Sequence, residues 1–448
     1  MRKKILILAT MIFTTYHTIA CTGTTGSVDK IVCLADSLKS TMTSTQIATM
    51  QLSYSYSNAQ VWSNLPTTFQ PRLGISLGSL NSTQLSIAKL LIKEISGTTA
   101  KEGYEEFEQL LLADEYLKNN GGGNSYGAGL YYLCFNGTPT ETGAFSIKLG
   151  GHHLHIENTY NNGVLVGGTP HFEAIEPLSF ITNNVTYQPL NEEKVALSAM
   201  LASLNTSELS TAHLSSTFGD ILMGATNGGT SKDWTFPTTK VGLKVGTLTS
   251  AQKTKVLDAI KTYVLDVDDI DANAIIAQYT NDLDNTYIAY SGNTSLATAQ
   301  DYVRIDGPNV WIEFSVQNGI IFSGVHYHSI WRDHYRDYGG QGSTEGLQTT
   351  QVGATTNAVT DNKLDIGVSI YPNPTTNYAT LLLSSPQISI SAINLVDING
   401  KFVKLISKNE TISGQQTHVI DFSVLPIGTY FIELIADNRR NSFKIIKQ

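Results

Sequence analysis

The chain has 448 residues, of which 41% are hydrophobic and 15% are charged, and its net charge at pH 7 is −9. This composition, with 37 glycines, is typical of a soluble, loop-rich extracellular protein and excludes a largely disordered chain. Because the sequence has no basic run that could follow a phosphate backbone, it also argues against nucleic acid as a partner.

The beginning of the chain has the pattern of a removable signal peptide over residues 1–20. Three basic residues precede an apolar stretch over 5–13, which is too short to span a bilayer. Small residues over 18–20 form a cleavage site directly before Cys21. Cys21 is therefore either lipidated or, after simple cleavage, able to pair with Cys33. No later segment is long and apolar enough to predict a membrane span.

Residues 21–340 predict one α+β domain with several helices. Residues 22–75 read as mixed and polar, with one helix near 44–51, and apolar spacing predicts later helices over 101–118, 192–202 and 272–283. Capping boxes, in which a cap side chain and the residue three positions later satisfy each other's free N–H groups, mark further helix starts. They are Asn81 with Gln84, Asn205 with Glu208, and Thr249 with Gln252.

Each capping box follows a leucine, which indicates either a faint internal repeat or simply the way these helices begin. We prefer the second interpretation. Two strand-rich blocks, over 131–172 and 302–331, lie apart from each other with helices between them. Helices between separated hairpin blocks favour an antiparallel sheet, so this is the sheet type that we expect in the domain.

The end of the chain differs in character from the domain before it. Residues 341–366 are rich in Thr, Gln, Gly and Asn and are predicted to be a linker. Over 367–448, short alternating strands follow one another about every ten residues, as in a small immunoglobulin-like β-sandwich.

Four segments of this last region resemble the type A sorting domain of type IX secretion. They are YPNP at 371–374, LVDINGK at 395–401, LPIGTY at 425–430 and KIIK at 444–447. The resemblance implies recognition by the type IX secretion machinery, passage through the periplasm to the outer cell surface or exterior, and a Bacteroidota source. It implies nothing about the chemistry of the preceding domain.

Histidines are the most informative residues of the 21–340 domain. Because residues two apart on a strand share a face, His153 is expected to project with His155, and His326 with His328. Neutral imidazole is a common ligand for zinc, copper and iron, so two such strands side by side would form a transition-metal site. Apart from His213, which stands alone on a predicted helix, the histidines of this domain fall in two clusters, His152, His153, His155 and His171 in the first and His326, His328 and His334 in the second.

A second resemblance covers roughly residues 80–340. The segments FNGTP at 135–139, GGHHL at 150–154, RIDGP at 304–308 and HYHSIWRD at 326–333 are similar, in order, to the family called domain of unknown function 3500. The adjacent residues of the HH pair cannot both point the same way on a regular strand, so one is structural or a bulge re-aims it. The positions that the resemblance emphasises are our candidate metal ligands, His152, His153, His326 and His328, and our candidate catalytic residues, Arg332, Asp333 and Asp337.

Three functions stay open at this point. The leading hypothesis is a secreted protein that binds a divalent transition metal (zinc, copper or iron) and that, as a metalloenzyme, would use Asp333 or Glu157 as a further ligand and Arg332 to orient an anionic substrate. The alternative is a non-catalytic binding or adhesive protein whose histidines form a structural network. A metal-free hydrolase using carboxylates such as Glu173 and Glu176 is the third.

Overall fold

The computed structural model describes residues 21–225, 236–343, 346–353, 366–398, 401–436 and 439–448. It divides the chain into two compact units, Met1–Ala354 and Thr355–Gln448. The signal peptide predicted over 1–20 lies outside the described residues, and so it stays a prediction.

The helices of the first unit include every one that the sequence predicted. All three capping boxes are formed, at Asn81, Asn205 and Thr249. Two helices were not predicted, α1, which buries Ile31 and Leu38, and the short α3, and both lie within the region that reads as polar. The helices are α1 Val28–Ser40, α2 Ser44–Met50, α3 Tyr56–Ala59, α4 Ser82–Glu94, α5 Gly103–Leu117, α6 Asn191–Ala202, α7 Thr206–Ala212, α8 Ser250–Val264 and α9 Asp269–Asp282.

The strands of the first unit form one large sheet and a separate hairpin, β8 with β9. The sheet order is β1-β3-β4-β5-β7-β14-β13-β12-β11-β10, with β2 beside β3 and β6 beside β5. The pairs are antiparallel, as predicted, except that β1 runs parallel to β3, so the sheet is mixed. The strands are β1 Gln51–Leu52, β2 Ile75–Ser76, β3 Tyr132–Asn136, β4 Ala144–Gly151, β5 Leu154–Asn161, β6 Val164–Gly167, β7 His171–Ile175, β8 Phe180–Thr182, β9 Val185–Tyr187, β10 Leu243–Lys244, β11 Tyr287–Ser291, β12 Tyr302–Asp306, β13 Val310–Asn318 and β14 Val325–Asp333.

The order of elements is repeated around the central strand pair, β7 with β14. The first half runs β2, α4, α5, β3, β4, β5, and the second runs β10, α8, α9, β11, β12, β13. Because the sheet order is symmetric about β7 and β14, the shared pattern at Asn81 and Thr249 marks an internal repeat. This topology favours the repeat interpretation over the one that we preferred from the sequence.

The two faces of the large sheet are covered differently. One face packs against the helices and forms the main core, to which Ile156 and Ile312 contribute. We call this the helix face. The opposite face, which we call the loop face, packs against irregular chain and holds a smaller apolar cluster, made of Trp62, Phe172, Ala174, Ile221 and Ile330. Side chains alternate between the faces along each strand, so β7 and β14 supply residues to both.

The cysteines are structural in this fold. Cys21 and Cys33 form a disulfide that ties the start of the described chain to α1. Of the two alternatives for Cys21, lipidation or pairing with Cys33, the structure shows the second. Cys134 is a free, buried thiol on β3. Burial raises the pKa of Cys134 to about 12, so its unreactive thiol form prevails at neutral pH.

The second unit is an antiparallel β domain. Its order is β15-β16-β18-β19, with β17 beside β16, and Leu381 and Ile432 lie in its core. A C-terminal β domain is therefore confirmed, whereas the immunoglobulin-like sandwich stays a prediction. The strands are β15 Gly367–Tyr371, β16 Tyr378–Asp397, β17 Phe402–Asp421, β18 Gly428–Ala436 and β19 Arg439–Lys447.

The start of the predicted linker over 341–366 packs against the first unit. Val352 is buried, and its backbone N–H donates to the carbonyl oxygen of Leu165 at 2.8 Å. Arg336 also binds the carbonyl oxygen of Thr350 at 2.9 Å. Residues 346–353 therefore belong structurally to the first unit.

Candidate metal centre

His152 and His153 are the two turn residues of the hairpin that joins β4 to β5. The two strands pair up to the residues on either side of this turn, and the backbone φ of His153 is +62°. This left-handed conformation is uncommon for a residue with a side chain, and it re-aims the imidazole. The prediction that His153 and His155 project together from one strand is wrong, because His153 lies in the turn. His155 lies within β5 and stacks on Trp62, with ring centroids 4.6 Å apart.

The turn reaches the neighbourhood of β14 across the end of β7. Ala174 of β7 donates its backbone N–H to the carbonyl oxygen of His153 at 3.0 Å, and it is the register partner of His328. Partners in an antiparallel register project to the same face, so the methyl group of Ala174 leaves room for the imidazoles on either side. The two predicted hairpins thus approach each other with one strand between them.

His153, His326 and His328 bring their imidazoles together on the loop face, and we call them the histidine triad. One ring nitrogen of each lies within 4.8 Å of those of the other two. Nε2 of His326 is 3.1 Å from Nε2 of His328. The three residues are only 8%, 3% and 6% exposed, respectively, so bulk water does not surround the rings.

The outer nitrogens of two triad rings are held by hydrogen-bond acceptors. Nδ1 of His326 lies 2.8 Å from the carbonyl oxygen of Asn318, and Nδ1 of His328 lies 3.0 Å from Oδ1 of Asp220. A carbonyl or carboxylate oxygen can only accept, so both Nδ1 atoms carry the proton and donate it. In the neutral rings each Nε2 then presents a lone pair to the other, which calls for a proton or a cation between them.

The electrostatic environment favours the neutral forms of His153 and His326. Burial, with a contribution from His328, lowers the pKa of His326 to about 4. Burial and the three neighbouring histidines also lower the pKa of His153 far below its usual value. Burial is the largest single influence on the pKa of Asp220 and raises it. The hydrogen bonds from His328 and from the backbone of Ile221, together with attraction to His328 and His326, outweigh burial, so the net shift is downward and the carboxylate form prevails. Neutral imidazole is the form that binds metal ions.

His152 lies behind the triad. Its ring stacks on that of His153 with centroids 3.7 Å apart, and its Nδ1 is 2.7 Å from Oδ1 of Asp114 on α5. The other oxygen of Asp114 accepts the backbone N–H of Gly127 at 2.7 Å. Of the four predicted metal ligands, the structure therefore brings three together and places the fourth where it positions His153.

The predicted catalytic residues lie at the far end of β14. Arg332 shares the face of the triad, but it is four residues from His328, which is about 13 Å along a strand. Its Nε donates to Oδ2 of Asp337 at 2.6 Å, and both side chains are fully buried. Asp337 also accepts the backbone N–H of Asp333 at 2.9 Å. The structure does not bring these residues to the triad, and a catalytic role for them stays a prediction.

Glu157, His334 and His171, which were also considered from the sequence, lie apart from the triad. Glu157 accepts the hydroxyl of Ser146 at 2.6 Å and lies 3.5 Å from the amine of Lys148. Nε2 of His334 lies 3.2 Å from Asp306. His171 projects to the helix face, on the opposite side of the sheet, since its register partner is Trp331 of the main core.

Sequence reasoning missed the two aspartates that orient the histidines. Asp220 lies in irregular chain between α7 and β10, and Asp114 lies on α5, far from either histidine cluster in the sequence. No spacing rule connects them to strands so distant along the chain. The one available signal was general, since metal-binding histidines usually give their second nitrogen to a carboxylate or carbonyl oxygen.

The fold and the triad define a two-domain chain, in which a repeat-built α+β domain that buries clustered imidazoles precedes an antiparallel β domain. Residues 24–340 match the family described as Protein of unknown function (DUF3500), so the chain belongs to that family. Residues 369–448 match the Secretion system C-terminal sorting domain, which confirms the predicted sorting domain and implies secretion to the cell surface or exterior. No curated protein and no solved structure matches the chain. Among the described residues, no helix has the length and apolar character needed to cross a membrane.

Proposed function

We propose that this protein is a secreted metal-binding protein that holds a divalent transition-metal ion between His153, His326 and His328. The sorting domain supports the destination, since it directs secretion to the surface or exterior. The family description names no activity, so the proposal of metal binding depends on the geometry of the triad. Imidazole ligands suit zinc, copper and iron, which are the ions to test.

The observation that carries the proposal is the 3.1 Å separation between Nε2 of His326 and Nε2 of His328. Two nitrogens that bind one ion at about 2.0–2.1 Å lie about 2.9–3.4 Å apart for bond angles of about 90–109°. The observed separation falls within that range. Both rings are also anchored through Nδ1, one by a backbone carbonyl and one by Asp220, as metal-binding histidines usually are.

The arrangement of the triad favours a centre with an open position. Three imidazoles leave the fourth tetrahedral position for water or a substrate atom, and an ion bound there would lower the pKa of that water or polarise that atom. The side chain of Asp220 is 48% exposed, so the triad lies one residue below the surface of the described chain. This open position is the basis for the metalloenzyme form of the proposal.

The non-catalytic alternative uses the same contacts. A proton shared between the two Nε2 atoms would also satisfy their lone pairs, and the histidines would then fasten the β4–β5 turn to β14 as a polar network. The 3.1 Å contact is short enough for such a hydrogen bond. Only a measurement of bound metal separates the two.

The test uses the full-length protein, stripped with a chelator and reloaded in turn with Zn²⁺, Cu²⁺ and Fe²⁺. Elemental analysis is expected to find about one ion per chain that depends on the triad, and loading is expected to raise the unfolding temperature. His326→Ala and His328→Ala are each expected to lose that ion while keeping the circular dichroism of the folded protein. His155→Ala is the matched control, because it removes a buried imidazole of the loop face outside the triad.

The outcome against the proposal is equally concrete. If none of the three ions is retained by the wild-type protein, and a chelator leaves its unfolding temperature unchanged, the histidines form the polar network instead. Equal metal content in His326→Ala and His155→Ala would also remove the triad as the binding site.

A further inference from the structure

A second group of ligating side chains is buried on the helix face of the sheet, opposite the triad. His171 and Glu173 are two residues apart on β7, so they share this face. The helices carry further carboxylates against them, from the start of α5, from α6 and from the chain just after α8. The six residues, which we call the carboxylate cluster, are Glu102, Glu106, His171, Glu173, Glu193 and Asp266.

The ligating atoms of the cluster lie close enough together to hold a metal ion. Ligating atoms of His171, Glu173 and Asp266 all lie within 4.8 Å of one another, and so do those of a second set, formed by Glu102, Glu106 and Glu193. Nε2 of His171 is 3.1 Å from Oε1 of Glu173 and 3.9 Å from Oδ2 of Asp266. All six residues are more than nine-tenths buried.

The cluster has too few hydrogen-bond donors for its oxygen atoms. Glu106 accepts the backbone N–H of Leu190 at 2.8 Å, and Asp266 accepts that of Gly103 at 2.7 Å. Among the described residues, no lysine or arginine forms an ion pair with any of the five carboxylates. The atoms left without a hydrogen-bond partner are Oε2 of Glu102, Oε2 of Glu106, both carboxyl oxygens of Glu193 and Nδ1 of His171.

Burial of so many acids in one place is costly without positive charge. Burial is the largest cause that raises the pKa of Glu102, Glu106 and Asp266, and repulsion from the other carboxylates of the cluster adds to it. Burial likewise raises the pKa of Glu193. In the absence of a cation, these groups therefore favour their protonated forms. A divalent ion would displace some of these protons and offset two of the negative charges.

We propose that the carboxylate cluster is a second cation site, which takes a divalent ion that prefers oxygen ligands, and that Mn²⁺ is a suitable probe for it. Carboxylates suit Mg²⁺, Ca²⁺ and Mn²⁺, and the single imidazole of His171 favours Mn²⁺ among these. An ion there would tie β7 to α5, α6 and the chain after α8. This proposal does not depend on metal binding by the histidine triad.

The experiment titrates chelator-stripped, full-length protein with Mn²⁺ and follows the loss of the free-ion signal by electron paramagnetic resonance. Wild-type protein is expected to bind Mn²⁺, and binding is expected to raise the unfolding temperature and to release protons into a weakly buffered solution. Glu193→Gln keeps the shape of the side chain and is expected to weaken Mn²⁺ binding by about tenfold or more. Glu192→Gln is the matched control, because Glu192 precedes it on the same helix and pairs with Lys101 at the surface.

Each outcome decides for or against the proposal. If wild-type protein leaves the Mn²⁺ signal free at millimolar concentration, or if Glu192→Gln and Glu193→Gln bind Mn²⁺ equally, the cluster is held by shared protons and the proposal fails. If Glu193→Gln does not fold, Asp266→Asn and proton release from the wild type take its place. Mn²⁺ binding that survives in His326→Ala, together with triad metal that survives in Glu193→Gln, shows that the two sites are separate.

Discussion

The two central strands of the sheet come from the two repeated halves, yet they carry ligating side chains to opposite faces. On β14, His326 and His328 project to the loop face, whereas His171 and Glu173 on β7 project to the helix face. The register places Ala174 beside His328 and Ser329 beside Glu173. Each strand thus supplies ligands to one face and a small residue to the other. One duplicated strand pair can therefore hold two separate clusters without crowding either.

The clusters also differ in charge. The triad consists of imidazole rings, two of which donate a hydrogen bond from Nδ1 to an acceptor. The carboxylate cluster carries five acids and has several oxygens without a donor. Cation binding by the buried acids is therefore expected to be coupled to proton release and to stability.

The largest effect is expected from breaking a buried ion pair on the loop face, away from the triad. Asp337→Ala leaves the guanidinium of Arg332 buried without its carboxylate, and we expect it to lower the free energy of unfolding by about 3–5 kcal/mol. Urea unfolding measures this loss. The exposed pair of Asp36 with Lys39 provides the control, because Asp36→Ala is expected to cost less than about 1 kcal/mol. Loss of triad metal from Asp337→Ala protein that is still folded would instead connect this pair to the site.

The second prediction separates the two faces through their small residues. Ala174→Leu fills the space beside His328, and we expect it to abolish triad metal and to destabilise the fold by about 1–3 kcal/mol, while Mn²⁺ binding by the carboxylate cluster persists. Ser329→Leu is expected to do the reverse, because it crowds Glu173. Metal titrations of both variants check this. If either substitution disturbs both sites equally, the faces do not act independently.

The third prediction concerns the support of the triad. Asp220→Asn keeps an acceptor for Nδ1 of His328 but removes the negative charge, so we expect triad metal affinity to fall by about 10–100-fold. Competition with a coloured chelator measures that affinity. Asp36→Asn, a surface change elsewhere, is expected to leave it unaltered, and an unaltered affinity in Asp220→Asn would show that the carboxylate plays no part.

The smallest expected effect is a gain in the stability of the protein when an acid of the carboxylate cluster is replaced. In chelator-treated protein at pH 7, burial raises the pKa of Glu193, which favours the unfolded state, where this carboxyl group ionises freely. Glu193→Gln removes that group, and we expect the free energy of unfolding to rise by about 1 kcal/mol. Thermal unfolding with and without Mn²⁺ is the measurement. A variant that is less stable than wild type without metal would mean that Glu193 already has a favourable partner.

The fold was predictable where local chemistry decides it. Capping boxes at Asn81, Asn205 and Thr249 predicted helix starts because cap and third residue satisfy each other within one turn. Helix α1 was also within reach, since Ile31, Leu34 and Leu38 recur at helical spacing, but polar neighbours obscured it. The repeat was visible only as a shared cap, because pairing between distant strands leaves no local signal.

The site was predictable in composition but not in geometry. The sequence indicated that His326 and His328 share a face, which alternation along a strand requires. It wrongly placed His153 on a strand. The two turn residues, His152 and His153, are neither glycine nor asparagine, so the sequence did not indicate a positive φ there. It could not find the carboxylate cluster, since Glu102, Glu193 and Asp266 lie far apart in the chain and only the packed helices bring them to β7.

The large sheet ends in very short strands. β1 and β10, which close its two sides, have two residues each, so they offer few unpaired backbone groups to a neighbouring molecule. Long, flat borders of a sheet invite strand-to-strand association with other chains, and brief ones discourage it. For a protein delivered to a crowded exterior, this termination favours molecules that remain separate at high local concentration.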